Sequence, residues 1–383
     1  MLGSDTLRAD RLGASGYYRS LTPRIDALAR SGTLFTHCFV PCARTAPSLI
    51  SMLTGCWPNR YGVRDNYVAS AETNLSVPCL PALLRDAGYK TIALGDWAAG
   101  DLKKFNLGFD AAHTPDDQWN IKYLLRQGPK DLRLFLSLFL SNPLGRKLLP
   151  EIYYLAGVPR TRQLGIQVRR ALSGLAQAKQ PFLLTMFAAS THPPFGSEYP
   201  YYRMFSDPGY RGDSLFAMAR LTDPFDIIRR QGEARSEFDL DQIEDLYDGC
   251  VRAFDDEVRR VLAHLELCGL GKNTIVVVFS DHGMEFFEHG TWGQGNSIFG
   301  DHSARTPLII ADPRSPPNAT VSKVIRNIDI APTLLELALG TRTDAMDGIS
   351  LAETIRAGNV PPHLLARTET GIWLTHLPGT PAG

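Results

Sequence analysis

Asp5, Asp281 with His282, His192 and Thr45 are the residues of this chain whose types could do chemistry together. Two carboxylates, a neutral imidazole and a threonine oxygen make a compact donor set for a divalent cation, which would both hold and acidify the Thr45 hydroxyl. Thr45 has a second support in its own segment, Pro41-Cys42-Ala43-Arg44-Thr45-Ala46-Pro47-Ser48-Leu49-Ile50-Ser51-Met52-Leu53-Thr54-Gly55. Pro47 suits the first turn of a helix, Leu49, Ile50, Met52 and Leu53 supply an apolar face, and Gly55 is a stop. Free N–H groups and the dipole at such a helix start favour negative charge, so Thr45 is placed to become an alkoxide or to hold an oxyanion. Taken singly, Thr45 reads first as an ordinary N-terminal cap, and Asp281-His282 as a satisfied loop pair.

Each of these side chains needs a rigid element behind it. Thr274-Ile275-Val276-Val277-Val278-Phe279-Ser280 is a continuous apolar run typical of a central parallel strand, with Asp281-His282-Gly283 at its carboxyl end. Pro181 to Ala189 reads as a buried strand ending in Ser190-Thr191-His192-Pro193-Pro194. Met1 to Ser4 leads into Asp5 as a strand shorter than the roughly five or six residues usual, and the expectation is a first strand clipped at its start. Thr33 to Val40 runs into the Thr45 loop, and Thr91 to Leu94 and Thr306 to Ala311 are further strands. Loops at the carboxyl ends of parallel strands are where α/β folds keep their chemistry.

The helices are read around these strands. Thr22 to Gly32 carries a Thr cap and a Gly stop. Asp239 to Leu267 places Ile243, Leu246, Tyr247, Cys250, Val251, Phe254 and Val258 on one side, and Asp329 to Leu337 opens with a capping Asp. Residues 117–179 read as a helical and irregular insertion, in which Leu134 to Leu140 is a buried apolar patch. Residues 196–235 read as a long loop or lid, and 341–383 as a weakly patterned tail. No repeat or low-complexity linker divides the chain, so one α/β unit over residues 1–340 is expected.

Composition narrows the partners. Apolar residues make up 44% of 383, and Lys+Arg and Asp+Glu are both 40, which leaves no charge to steer the chain to nucleic acid or acidic membranes. The six cysteines fall in no CxxC pair, so neither a disulfide framework nor a zinc-thiolate site is indicated. No apolar run is long enough to span a bilayer and no signal peptide is evident. This favours a soluble, cytoplasmic protein, with the clipped first strand weighing against any reading of the N-terminus.

Asp5-Thr6-Leu7-Arg8-Ala9-Asp10, Thr45-Ala46-Pro47-Ser48 with Leu53-Thr54-Gly55, Ser280-Asp281-His282-Gly283 and Asp329-Ile330-Ala331-Pro332-Thr333-Leu334 together resemble the sulfatase family of the alkaline phosphatase superfamily. The resemblance runs from residue 1 to about 340 and implies an alkaline-phosphatase-like α/β fold: a mostly parallel central sheet flanked by helices, with helical and loop insertions. It also implies one or two divalent metals and a nucleophile at the front of a helix. Departures from the pattern restrict the chemistry. Sulfatases carry Cys or Ser where this chain has Thr45, and Arg where it has Leu49, so formylglycine is not expected. The family's Gly-Lys-Trp-His-x-Gly resembles Gly95-Asp96-Trp97-Ala98-Ala99-Gly100, without the cation and the imidazole. Gln294 stands where relatives often place Lys or His, and Thr6 where they place a second metal carboxylate.

The remaining Asp, Thr, Asp, His set is similar to the single-metal arrangement of phosphonate monoester and phosphodiester hydrolases, and of phosphoethanolamine-type transferases. By this resemblance Asp5, Thr45, Asp281 and His282 hold one divalent metal, Thr45 is the nucleophile and His192 the general acid. Asn66 stands on a nonbridging oxygen, and His289 and Gln294 are substrate-side groups. A His nitrogen among oxygen donors favours zinc or manganese, with calcium or magnesium also accommodated. A threonine ester must be cleaved by a second attack at the central atom, which suits phosphorus, and fewer cations suit a diester better than a doubly charged monoester. The expectation is a hydrolase acting on a phosphodiester or phosphonate ester of a small molecule, glycan or lipid. The alternatives are a sulfatase, a phosphoethanolamine-type transferase, and a non-catalytic metal-binding member of the family.

Overall fold

The computed structural model describes residues 1–114, 161–210, 235–294 and 301–369, apart from the single positions 67, 69, 194, 208, 291 and 318. Its strands are β1 (Leu2–Ser4), β2 (Thr33–Phe39), β3 (Lys90–Gly95), β4 (Ala111–His113), β5 (Phe182–Ala188), β6 (Val276–Phe279), β7 (Glu285–Phe286), β8 (Trp292–Gly293), β9 (Arg305–Ala311), β10 (Ala319–Val321) and β11 (Ile325–Arg326). The main sheet has the order β10-β2-β9-β6-β1-β5-β3-β4, with β11 also on β2, while β7 and β8 form a separate ribbon. Among the described strands of the main sheet only β9 runs against its neighbours, so the expected mostly parallel sheet is present.

Register explains why the chemistry converges. Ser4 lies opposite Ala188 and Gly3 opposite Phe279, so β1, β5 and β6 finish level, and Asp5, the Ala189–His192 turn and Asp281 leave the sheet on one rim. Gly95 lies opposite Phe187, which brings Asp96 to the same rim. A Cβ on Gly3 would stand 2.4 Å from the Phe279 ring, so glycine is what allows β1 to sit beside so bulky a neighbour.

The sheet is covered by helices α1 (Pro23–Ser31), α2 (Thr45–Thr54), α3 (Thr161–Ala178), α4 (Leu240–Leu267) and α5 (Ile330–Leu339). Alternation along the strands divides the core. Phe35, Phe187, Phe279, Leu308 and Ile310 face Leu49, Ile50 and Leu53 of α2 and Leu334 of α5. Their neighbours Leu34, Met186, Val278 and Ile309 face Ile25 of α1, Leu172 of α3 and Val251, Phe254 and Val258 of α4. Each such side chain, fully buried, contributes about 1.5–3 kcal/mol. The rim residues therefore stand on a sheet clamped from both sides.

Two expected caps are corrected. The Thr22 hydroxyl donates to Asp26 Oδ1 at 2.9 Å and accepts from Gly13 N at 2.9 Å, and makes no cap bond to α1. The Asp329 carboxylate accepts from Arg326 N at 2.9 Å and Ile349 N at 2.8 Å and pairs with the Arg326 guanidinium at 2.7 Å, because a two-pronged charged partner outbids a helix N–H. Gly32 ends α1 through close approach, since a Cβ there would lie 2.7 Å from Ala311 Cα.

Residues 115–160 of the expected insertion, with its Leu134–Leu140 patch, lie outside the described residues, as do 211–234 of the expected lid and 370–383 of the tail. Residues 161–178 of the insertion form α3. Near the start of the expected lid, Tyr201 packs on α4, its hydroxyl donating to Asp256 at 2.9 Å. Among the described residues no helix is long and apolar enough to cross a membrane, and the cysteines are free thiols, all buried except the half-buried Cys268.

Candidate active site

Thr6 holds a φ of 61°, a left-handed backbone that threonine seldom adopts. Its surroundings fix it there. Its N–H donates to Asp281 Oδ1 at 3.2 Å, its hydroxyl to Thr191 O at 2.5 Å, and its carbonyl accepts from the Tyr247 hydroxyl at 2.8 Å. The turn delivers Asp5 to the rim fully buried, with neither carboxylate oxygen hydrogen-bonded among the described residues.

Asp281 Oδ2 and His282 Nε2 are buried and unpartnered in the same way. His282 Nε2 lies 3.3 Å from Asp281 Oδ2 and 3.7 Å from Asp5 Oδ1, and one ligand atom from each residue lies within 4.8 Å of the others. His282 Nδ1 faces Gly283 O at 2.8 Å, which places the ring proton on Nδ1 and leaves Nε2 as a lone pair. Burial, and then the charge of Asp281, push the Asp5 carboxyl well above the carboxylate range. Two carboxylates in a dry site cannot both ionise without a cation between them. The orphaned oxygens and nitrogen fit a divalent cation of borderline character.

Thr45 is the first residue of α2 and is 1% exposed. It is not the cap of that helix: Arg44 occupies the cap position with extended backbone, and no side chain there accepts a hydrogen bond. Gly55 closes the helix at a φ of 67°. The first turn is tied to the carboxylate group, because the Ser48 hydroxyl donates to the Asp281 carbonyl and Asn327 Nδ2 donates to Ser48 O and Oγ at 3.0 Å each. Thr45 therefore rides on the same hydrogen-bonded unit as Asp281.

Thr191 pins the next rim position. Its hydroxyl donates to Asp5 O at 2.5 Å and lies 2.8 Å from Ser4 Oγ. His192 follows with Nδ1 against Pro193 O at 2.7 Å and its ring edge-on to Trp97 at 4.7 Å. Burial, with the charge of Arg44 adding to it, lowers His192 to about 4, so the imidazole of the free protein is neutral at pH 7 and offers Nε2 as an acceptor. Asp96 is spent on backbone: Ala189 N donates to its two oxygens at 2.9 and 3.0 Å, and Ala98 N to Oδ1 at 3.2 Å. Burial raises its carboxyl to about 7.

Asn66 reaches the α2 start, where its Oδ1 accepts from Ala46 N at 2.9 Å. His289 bonds within the β7–β8 segment, to Glu285 Oε2 at 3.0 Å, with its ring 5.7 Å from that of His302. Gln294 continues from β8 with Oε1 buried and unpartnered. No hydrogen bond among the described residues joins His289 or Gln294 to Asp5, Asp281 or His282. Two residues at the site had no sequence assignment. Asn327 lies two positions ahead of the Asp329-Ile330-Ala331-Pro332 motif, and its contact with Ser48 is invisible along the chain. Arg44 reads as an ordinary loop cation, although a cation immediately ahead of a helix-start threonine is a usable signal.

Cys42 is a poor competitor for Thr45. It is buried, its thiol faces Arg64 O at 3.6 Å, and burial pushes it up to about 12, so almost no thiolate forms at pH 7.

A family model described as Sulfatase matches residues 2–341. An ulvan-active sulfatase of Formosa agariphila is 27% identical over 92% of this chain and 64% of its own. An N-acetylglucosamine-6-O-sulfatase of Bacteroides thetaiotaomicron is 26% identical over 90% of this chain and 66% of its own. This chain thus spans just under two thirds of the length of these curated relatives. Among solved structures, the phosphonate monoester hydrolase of Agrobacterium radiobacter superposes with a TM-score of 0.68 at 22% identity, over 94% of this chain and 77% of that one.

Proposed function

This chain belongs to the sulfatase family, and we propose that it is a metal-dependent hydrolase that cleaves a phosphodiester or phosphonate ester through a covalent Thr45 intermediate. The reading rests on one observation: the buried, unpartnered oxygens of Asp5 and Asp281 and Nε2 of His282 converge beside the helix that Thr45 begins. Asp5, Asp281, His282 and Thr45 would hold the metal, which when bound supplies charge neutralisation and acidifies the Thr45 hydroxyl.

The chain's own groups define the rest. The start of α2 offers positive dipole to a developing Thr45 alkoxide. Attack by Thr45 Oγ1 on phosphorus forms one P–O bond as the bond to the leaving oxygen breaks. The acidified Thr45 hydroxyl loses its proton to solvent, and His192, protonated on Nε2 once the anionic ester is bound, gives its Nε2 proton to the leaving oxygen. Water then attacks phosphorus in line, giving a proton to His192 Nε2 as the bond between phosphorus and Thr45 Oγ1 breaks, and the Thr45 oxygen regains a proton from solvent. Asn66, with Oδ1 on Ala46 N, orients the α2 start and presents its amide hydrogens to a nonbridging oxygen.

A sulfate ester is the second reading, favoured by curated relatives that are sulfatases, the ulvan-active and N-acetylglucosamine-6-O-sulfatases among them. Against it stands Thr45, which cannot become formylglycine.

The test is turnover of an aryl phosphodiester, an aryl phosphate monoester and an aryl sulfate by the zinc- or manganese-loaded protein. We expect the diester to be preferred, and Thr45→Ala and Asp281→Ala each to lose at least about 10³-fold in kcat/KM. Intact-mass analysis should detect a phosphorylated adduct on the wild type and none on Thr45→Ala. Dominant sulfate turnover would sink the phosphoester reading, and activity surviving Thr45→Ala would sink the nucleophile. Metal binding with no turnover of any ester would make the chain a non-catalytic member of the family.

A further inference from the structure

We infer that Arg44 is the anion-binding cation of this site, taking two oxygens of a singly charged tetrahedral ester on the Nε–Nη2 edge of its guanidinium. The inference deepens the hydrolase reading and rests on it. Arg44 immediately precedes Thr45 and is 7% exposed, yet its Nε and Nη2 are buried with no hydrogen-bond partner among the described residues. Arginine keeps its charge under all ordinary conditions, so this is a buried cation whose Nε–Nη2 edge meets no anion among the described residues. Native structures rarely leave such a group unanswered.

The rest of the molecule shows what that edge does when it is filled. In Arg8 the Nε and Nη2 atoms donate to Asp10 at 2.9 and 2.7 Å, in Arg314 to Asp312 at 2.8 and 2.7 Å, and in Arg326 to Asp329 at 3.1 and 2.7 Å. Arg11, as buried as Arg44, is paired with Glu244 and Asp248 at 2.7 and 3.2 Å. Arg11 Nε is also unpartnered, but its Nη2 is filled by Glu244; Arg44 alone among these leaves both atoms of the edge empty, and it does so beside the helix start that carries Thr45. The guanidinium charge also reaches the ring of His192. A planar fork with two parallel N–H groups fits two oxygens of a tetrahedral oxyanion.

Charge then selects the substrate class. Asp96, Ala98 and Leu49 stand where the family resemblance places a cation, an imidazole and a second cation, so none of those three groups shares the anion with Arg44. One cation matches a monoanionic ester, such as a phosphodiester or phosphonate monoester, better than a dianionic phosphate monoester.

The experiment compares wild type, Arg44→Met and Arg44→Lys in the metal-loaded protein by three readouts: the thermal midpoint, calorimetric binding of dimethyl phosphate, and kcat/KM for an aryl phosphodiester. Arg44→Met should keep or raise the thermal midpoint, because it removes an unpaired buried charge. It should weaken dimethyl phosphate binding and lower kcat/KM, the latter by about 10²-fold or more, and Arg44→Lys should recover part of both. A lowered midpoint with unchanged dimethyl phosphate binding in Arg44→Met would overturn the inference and make Arg44 structural. If the wild type turns over no ester but binds dimethyl phosphate only with Arg44 present, the hydrolase reading fails and the anion site stands. If Thr45-dependent turnover persists with the same KM in Arg44→Met, the anion site fails and the hydrolase reading stands.

Discussion

Asp96 shows how one side chain can be legible by position and illegible by role. Its place after β3 follows from the short apolar run before it, and its acidity from the sequence, but nothing along the chain says that it serves Ala189 N–H across the sheet. Burial raises its carboxyl from 3.8 to about 7, and the sign of the consequence is definite. Below the unfolded value both states hold the proton and pH has no effect. Between there and about 7 the unfolded chain ionises while folded Asp96 does not, so stability falls as pH rises, by at most about 1.4 kcal/mol per pH unit. Asp96→Asn keeps both backbone bonds on Oδ1 and removes the titration. In chelator-treated protein, urea unfolding should find the variant level with wild type below about pH 4, ahead of it at about pH 5 and further ahead at about pH 8. Parallel pH profiles for the two proteins would exclude this account. Arg44 was hidden for the related reason that an arginine's meaning depends on which carboxylates are absent around it, and only the folded molecule reveals that.

At the scale of elements, the strands and helices that carry the site were legible because their patterns are local. The apolar run of β6, the alternation-free β5 and the Pro47-to-Gly55 frame of α2 appear where expected. The reversal of β9 was not legible, since direction depends on pairing partners far away in sequence. It matters to the site, because a strand that starts on the rim brings residues 301–304 back against the end of β6. Gly283 N donates to Ser303 O at 2.8 Å, and a Cβ on Gly283 would lie 1.9 Å from His302 O. Gly283→Ala must therefore push these two backbones apart next to His282. We expect a loss of about 1–3 kcal/mol together with weaker metal binding. Gly174 in α3 is the control: it is exposed and a Cβ there meets nothing within 4 Å, so Gly174→Ala should stabilise by about 0.5–1 kcal/mol through helix propensity. Chemical unfolding of the two variants checks both signs, and a stabilised Gly283→Ala would show that the approach at His302 yields easily.

The whole molecule has balanced charge, with 40 basic and 40 acidic side chains, so a divalent cation gains little from the overall field and must be held by local donors. Those donors are assembled only by folding: Asp5 and Asp281 are far apart in the sequence and meet because β1 and β6 are adjacent. A cation that binds the folded state and not the unfolded one stabilises it by mass action, about 2.7 kcal/mol at a hundredfold excess over Kd. The increment depends on pH in a direction set by Asp5. Because burial and Asp281 raise its carboxyl, protons compete with the metal, and the gain from metal must shrink as pH falls. Zinc or manganese should therefore raise the thermal midpoint more at about pH 8 than at about pH 5, and a chelator should abolish the difference. Asp281→Asn removes one charged donor while keeping the shape of the side chain, so the increment should largely disappear at both values. A metal-induced rise of the same size in Asp281→Asn would place the ion elsewhere on the molecule and leave the buried oxygens of Asp5 and Asp281 to be explained by shared protons alone.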